Sequence, residues 1–157
     1  MKYLLFGGAP NVGKSESIYR LALHLLTIGF TDVHSSVPTI FSDFRAILTG
    51  IDKNGKLVRI IFNSATDTPG LIKAFKDFYD LNGSYDILVS SIRDDDFWPR
   101  KDFFSIMGIS PTSTDITEIP LAKITRRNDF QMALDWYIEK LDKLTLHILA
   151  NTPFELV

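Results

Sequence analysis

The sequence predicts a three-layer α/β/α sandwich around a mostly parallel sheet with one antiparallel hairpin. Short apolar runs typical of strands alternate with longer segments whose apolar residues recur at helical spacing. One pair of strand-like runs is separated only by Lys53-Asn54-Gly55, a tight-turn signal that predicts antiparallel pairing. Because no linker divides the 157 residues, we expect one domain over residues 1–157.

The first half of the chain is predicted to contain four extended segments and two helices. Apolar residues recur at helical spacing from Ile18 to Ile28, and Gly29 ends this first helix. Thr68 is predicted to cap a second helix with Pro69 in its first turn, and Asn82-Gly83 ends it. The predicted strands cover residues 2–6, 30–35, 44–52 and 56–63.

The second half continues the alternation. A buried strand is predicted over residues 85–91, a short helix over 100–107 and a polar loop over 110–118. A last strand is predicted over residues 121–125, followed by a helix that Asn128 or Asp129 caps. The carboxyl ends of parallel strands meet at one edge of a sheet, so ligand-binding loops are expected after Phe6, Asn63, Ser91 and Thr125.

Composition narrows the classes of function. The formal charge of −2 gives no electrostatic case for nucleic acid or a membrane surface as a partner. With no cysteine, the chain has no disulfide, thiolate metal site or cysteine nucleophile. No apolar run approaches the length of a membrane span, and the first residues do not resemble a signal peptide. We therefore expect a cytoplasmic protein.

The strongest functional signal is a complete phosphate-binding loop between the first strand and the first helix. It fits the pattern G-x-x-x-x-G-K-[ST], in which glycines let successive N–H groups face an anion and the helix directs its positive end at the same point. In this pattern Lys14 reaches the outer phosphates and the Ser15 hydroxyl binds Mg²⁺. The predicted nucleotide-binding residues are Gly8, Ala9, Pro10, Asn11, Val12, Gly13, Lys14, Ser15 and Glu16.

These residues place the chain among sequences that resemble the P-loop NTPase superfamily. The form G-x-P-N-V-G-K-S resembles the first motif of bacterial ribosome-assembly GTPases, and Asp67-Thr68-Pro69-Gly70 looks like their D-x-x-G motif. The resemblance covers about the first 80 residues. It implies the P-loop NTPase fold, Mg²⁺ and ATP or GTP as ligands, Asp67 near the metal, and Thr39, or alternatively Thr31, as a switch threonine on Mg²⁺.

The chain departs from that family in two places. The family reads guanine with N-K-x-D after a later strand, where this chain has Arg126-Arg127-Asn128-Asp129. The strand that ends at Asn63 also lacks a terminal acidic residue of the kind that binds Mg²⁺ through water. Asp67 therefore has two interpretations, a GTPase-like role at the metal and a favourable charge at a helix N-terminus.

Arginines supply the other candidate chemistry. Arg93 and Arg100 flank an acidic run after a predicted strand, where lid arginines of kinases clamp a transferring phosphoryl group. The alternative is a solvated loop with internal Arg–Asp pairs. Arg126 and Arg127 could also contact the phosphates, stack on a base or contact a ribose phosphate.

Three functions remain in competition at this point. The first is a Mg²⁺-dependent NTPase acting as a switch, with Lys14 and Asp67 in the catalytic site and Ser15, Thr39 and Asp67 at the metal. The second is a nucleotide or small-molecule kinase, in which Arg93 and Arg100 are catalytic. The third is a module that binds a nucleotide without hydrolysing it. The sequence does not distinguish ATP from GTP and identifies no protein partner.

Overall fold

The computed structural model describes residues 1–94, 98–124 and 129–156. In these ranges the chain forms six strands and four helices. The strands are β1 (Lys2–Gly7), β2 (Thr31–His34), β3 (Arg45–Ile51), β4 (Leu57–Asn63), β5 (Ile87–Ile92) and β6 (Ile116–Pro120). The helices are α1 (Lys14–Thr27), α2 (Pro69–Leu81), α3 (Trp98–Met107) and α4 (Phe130–Ala150).

The strands form one mixed sheet in the order β2-β3-β4-β5-β1-β6. β4, β5, β1 and β6 run parallel to one another, whereas β3 is antiparallel to both β2 and β4. This confirms the predicted α/β class with a mostly parallel sheet and an antiparallel β3–β4 hairpin. The order places β5 between β1 and β4, so the loops after these three strands open at the same edge.

Two apolar cores lie on opposite faces of the sheet, because alternate residues of each strand point to opposite sides. Leu4 and Phe6 of β1 join the core that α1 and α4 cover, whereas Leu5 joins the core under α2 and α3. Every residue of β5 is buried, which explains why its sequence is a continuous run of apolar and hydroxyl residues.

The residues at the N-termini of α1 and α2 suit the backbone conformations found there. Gly13 precedes α1 with φ 89°, a left-handed conformation that glycine adopts without a steric penalty. Thr68 caps α2 as predicted, since its hydroxyl accepts a hydrogen bond from the backbone N–H of Leu71 at 3.3 Å. Pro69 occupies the first helical position, where its missing N–H has no partner to lose.

The last strand differs from the prediction. β6 is formed by Ile116–Pro120, within the segment predicted mainly as a polar loop, and the described residues of the predicted strand 121–125 are not extended in the sheet. β6 is an edge strand paired with β1 only, so half-buried polar residues such as Thr117 and Glu118 are tolerated there. Leu121 is apolar because it packs into the core just beyond the strand.

Within the described ranges, none of the helices combines the length and the apolar composition needed to cross a membrane.

Candidate functional site

The loop between β1 and α1 is curled by residues with positive φ. Gly8, Asn11 and Gly13 have φ values of 144°, 58° and 89°. A side chain at Gly8 would also be crowded, because its Cβ would lie 3.0 Å from the carbonyl oxygen of Leu121. Loops of this kind before a helix N-terminus can turn successive N–H groups to one side and so accept an anion.

The Lys14 side chain folds back over this loop. Its ammonium group donates to the carbonyl oxygens of Gly8 at 2.7 Å and Ala9 at 2.6 Å, and the residue is only 7% exposed. Burial lowers the pKa of Lys14 below its ordinary value; Arg93 lowers that pKa further, while Asp67 and Asp94 act in the opposite direction. Lys14 forms no ion pair within the described residues, so a buried cation stands beside the loop without an anionic contact.

The Ser15 hydroxyl connects α1 to the end of β4. It donates a hydrogen bond of 2.8 Å to the carbonyl oxygen of Ser64, the residue that follows β4. The same carbonyl accepts a hydrogen bond of 2.9 Å from the hydroxyl of Ser91 in β5. Ser64 therefore joins three elements of the site through one backbone oxygen.

A buried network of hydroxyl and amide groups occupies the ends of β4 and β5. Thr66 donates to the carbonyl oxygen of Ser91 at 3.1 Å, and the Asn63 amide donates to the carbonyl oxygen of Ala65 at 3.0 Å and to Ser90 Oγ at 3.3 Å. Sequence analysis missed this network, although the adjacent hydroxyl residues at both strand ends were a visible signal. The network fixes the strand ends that face the Lys14 loop.

Asp67 and Arg93 lie together in the site. Asp67 Oδ1 and Arg93 Nη2 are 2.8 Å apart; the Asp67 side chain is 56% exposed, whereas that of Arg93 is 11% exposed. Asp67 also immediately precedes the N-cap of α2, the helix N-terminus position that was one of its two interpretations. The structure thus brings together two residues predicted from separate motifs.

Arg100 is engaged elsewhere. Its guanidinium donates to Glu118 Oε1 at 2.9 Å and Oε2 at 2.8 Å, and to the carbonyl oxygen of Arg93 at 3.2 Å. The Glu118 side chain passes directly over Gly7, the last residue of β1. Arg100 is therefore placed to position the backbone at Arg93, and it is not among the residues that line the cavity beside Lys14.

Two neighbouring cavities flank the loop. The first, which we call the lysine cavity, has a volume of about 430 Å³. Its lining is mainly polar and charged: Pro10, Asn11, Gly13, Lys14, Ser15, Glu16, Phe41, Asp43, Ser64, Asp67, Ser91 and Arg93.

The second cavity, which we call the helix cavity, has a volume of about 660 Å³ and lies between the loop, α1 and α4. It shares Asn11, Gly13 and Glu16 with the lysine cavity, so the two are adjacent. Much of its remaining wall is apolar, including Val12, Phe130, Leu134, Tyr137 and Ile138. The pair of cavities thus offers a charged, polar lining beside a largely apolar one.

The other predicted site residues lie as follows. Thr39 is exposed and outside the lining of the lysine cavity, and its carbonyl oxygen accepts a hydrogen bond of 3.2 Å from the Tyr19 hydroxyl. Thr31 lies in the exposed strand β2. Glu16 lies 3.5 Å from Arg20 in an ion pair on α1. Arg126 and Arg127 lie outside the described residues.

The oxygen atoms of the lysine cavity suit a hard cation. The Ser15 hydroxyl and the carboxylates of Asp43 and Asp67 line one cavity, and Mg²⁺ prefers such ligands while keeping several of its waters. Within the described ranges no group of three or more His, Cys, Asp or Glu side chains converges on a possible metal position. A metal held here would therefore need oxygen atoms from a second ligand such as a phosphate.

Comparisons of the chain with protein-family models, with curated proteins and with solved structures give no match.

Proposed function

We propose that this chain has the P-loop NTPase fold and binds a nucleoside triphosphate with Mg²⁺, which it hydrolyses. The observation that carries the proposal is the buried Lys14 ammonium beside a curled glycine loop, at a helix N-terminus that opens into the lysine cavity. Because Lys14 forms no ion pair with any described residue, its buried charge favours an anion of high charge as ligand.

The linings of the two cavities support a nucleotide as the ligand rather than a small phosphate. The triphosphate fits the polar lysine cavity, and the nucleoside fits the adjoining helix cavity with its apolar wall. When bound, Mg²⁺ neutralises charge on the phosphate oxygens. Ser15 supplies a hydroxyl ligand to it, and Lys14 and Arg93 hold the phosphates in place.

A kinase is the second candidate, and one observation favours it. Arg93 reaches the lysine cavity and is held there by Asp67 at 2.8 Å, as a phosphoryl-clamping arginine would be. Arg100, the other arginine of that hypothesis, is already bound bidentately by Glu118. The kinase proposal therefore depends on Arg93 alone within the described residues.

Calorimetric titration with ATP and with GTP, with and without Mg²⁺, tests the proposed binding. We expect Lys14→Ala to weaken nucleotide binding about 10- to 100-fold, the range for a lost hydrogen bond to a charged group. The matched control is Lys73→Ala, which removes an exposed lysine of α2 outside both cavities. Unchanged affinity in Lys14→Ala, with Lys73→Ala also unchanged, would exclude this site.

Release of inorganic phosphate separates hydrolysis from transfer and from binding alone. An NTPase releases phosphate from the bound nucleotide without a second substrate, and it does so only with Mg²⁺. Nucleotide binding with no phosphate release would move the assignment to a kinase or to a non-hydrolysing module.

A further inference from the structure

The end of β4 lacks an acidic residue of the kind that binds Mg²⁺ through water. Asn63 and Ser64 stand there, and the Ser15 hydroxyl donates to the Ser64 carbonyl oxygen instead of meeting a carboxylate. Three described carboxylate residues line the lysine cavity: Glu16, Asp43 and Asp67. Glu16 is paired with Arg20 on α1 at 3.5 Å, which leaves the two aspartates to compare.

The reversed direction of β3 brings Asp43 to the site. Because β3 is antiparallel to β4, the residues that precede β3 lie where β4 ends. The pairing continues one step beyond the strands: Ser64 N–H donates to the Phe44 carbonyl oxygen at 3.1 Å, and Phe44 N–H donates to Ser64 Oγ at 2.8 Å. Asp43 is the next residue outward and faces the cavity edge.

Ser64 connects the Asp43 carboxylate with the Ser15 hydroxyl. Ser64 Oγ lies 3.2 Å from Asp43 Oδ1 and 3.3 Å from the Phe44 carbonyl oxygen, and it can donate its proton to either, while Ser64 O accepts from Ser15. Ser64 is 1% exposed, so both contacts start from a rigid, buried residue. Asp43 and the predicted metal-binding hydroxyl are thus separated by a single residue.

The charges around the cavity distinguish Asp43 from Asp67. Asp67 is already paired with Arg93, which neutralises much of its attraction for a cation. Asp43 forms no ion pair within the described residues, and its carboxylate accepts a hydrogen bond from the Ser64 hydroxyl. Thr39, the residue that the family resemblance suggested, is outside the cavity lining.

We propose that Asp43 is the carboxylate that holds the Mg²⁺ of the nucleotide complex, acting with Ser15 from the segment just before β3. This inference rests on the proposed nucleotide site. Since Mg²⁺ keeps several waters in proteins, Asp43 would hold it as an oxygen ligand, either directly or through one of these waters.

The test measures metal binding rather than turnover. Mn²⁺ replaces Mg²⁺ as a paramagnetic probe, and loss of its free signal in electron paramagnetic resonance gives its affinity for the protein with ATP and, in parallel, with GTP. Nucleotide affinity is measured with and without the metal by calorimetry. The variants are Asp43→Asn, Asp67→Asn, Thr39→Ala and the exposed control Asp77→Asn on α2.

Asp43→Asn should lower the Mn²⁺ affinity of the nucleotide complex about 10- to 100-fold, as losses of residues that support a metal site do. Its metal-free nucleotide affinity should stay near that of the wild type. Thr39→Ala and Asp77→Asn should keep the metal affinity. Urea unfolding of each variant checks that the fold is retained.

The outcomes separate the two proposals. If the wild type binds neither nucleotide under any condition, the proposed function fails and this inference fails with it. If the wild type binds nucleotide with metal and Asp43→Asn keeps full metal affinity, only the assignment of Asp43 is overturned. A loss confined to Asp67→Asn or Thr39→Ala would assign the metal to that residue instead.

Discussion

Replacing Gly7 by alanine should destabilise the protein even though alanine suits the backbone there. The φ angle of Gly7 is outside the left-handed region, so a Cβ adds no backbone strain. That Cβ would, however, lie 2.0 Å from Glu118 Oε1, 3.0 Å from its Cδ and 3.2 Å from its Cγ. The Glu118 carboxylate must move away to make room.

The size of the effect depends on Arg100. A contact with the end of a flexible side chain is easily relieved, but Arg100 holds both carboxylate oxygens at 2.9 and 2.8 Å, and the two side chains are only 17% and 29% exposed. Overpacking of this kind costs about 1–3 kcal/mol. Gly→Ala at an unstrained position without a clash gains about 0.4–1 kcal/mol. We expect a net loss of about 1–2 kcal/mol from these two effects.

A double-mutant cycle with Glu118 tests whether the clash with this side chain causes the loss of stability in Gly7→Ala. In the Glu118→Ala background the clash is absent, so Gly7→Ala should be neutral or stabilising by up to about 1 kcal/mol. Urea unfolding followed by circular dichroism gives the free energy of unfolding of the four proteins. Gly70→Ala is the matched control, because its Cβ would meet no atom closer than 3.9 Å. Equal effects of Gly7→Ala in both backgrounds would refute the reasoning.

Two further predictions concern Lys14 and Thr68. Because burial lowers the pKa of Lys14, a bound triphosphate should raise that pKa again, and binding at alkaline pH should take up protons. Calorimetry in two buffers of different ionisation enthalpy measures this uptake, and a binding enthalpy independent of the buffer would contradict it. Thr68→Ala should lower the free energy of unfolding by about 1 kcal/mol through loss of the α2 cap, whereas Thr68→Ser should retain most of it. Equal urea midpoints for the two variants would show that the cap contributes little.

Much of the fold followed from local signals in the sequence. The β3–β4 hairpin was predicted because Asn54-Gly55 fits a tight turn, and the start of α2 because Thr68-Pro69 specifies a cap and a first turn. These signals are local and do not depend on which elements are neighbours in space. β6 was misplaced because an edge strand needs little apolar character, while Leu121 is apolar for packing beyond the strand.

The sequence predicted those residues of the candidate site that belong to one contiguous motif. Lys14 and Ser15 belong to a contiguous motif, so their place beside the loop could be predicted. Asp43 reaches the same cavity because β3 is antiparallel to β4, and Arg100 is drawn to Glu118 by the position of β6. The spacing of residues along the sequence predicts neither the position of Asp43 nor the Arg100–Glu118 pair, because each depends on how the strands are arranged in the sheet.

Asn63 shows why the acid of this site is not at the end of β4. Its amide, in a residue only 2% exposed, donates to the carbonyl oxygen of Ala65 at 3.0 Å and to Ser90 Oγ at 3.3 Å. An aspartate there would place a carboxylate against the Ala65 carbonyl, and a buried anion facing another acceptor is strongly unfavourable.

An exposed carboxylate avoids this penalty and remains available to a cation. Asp43 is exposed and is held by the Ser64 hydroxyl, so it keeps its solvation until a ligand enters the lysine cavity. The amide at Asn63 suits the hydrogen bonds that close the end of β4 better than a carboxylate would. By the same reasoning, a missing acid at one strand end is no argument against Mg²⁺ when an aspartate just before the adjacent antiparallel strand lines the cavity at the same edge.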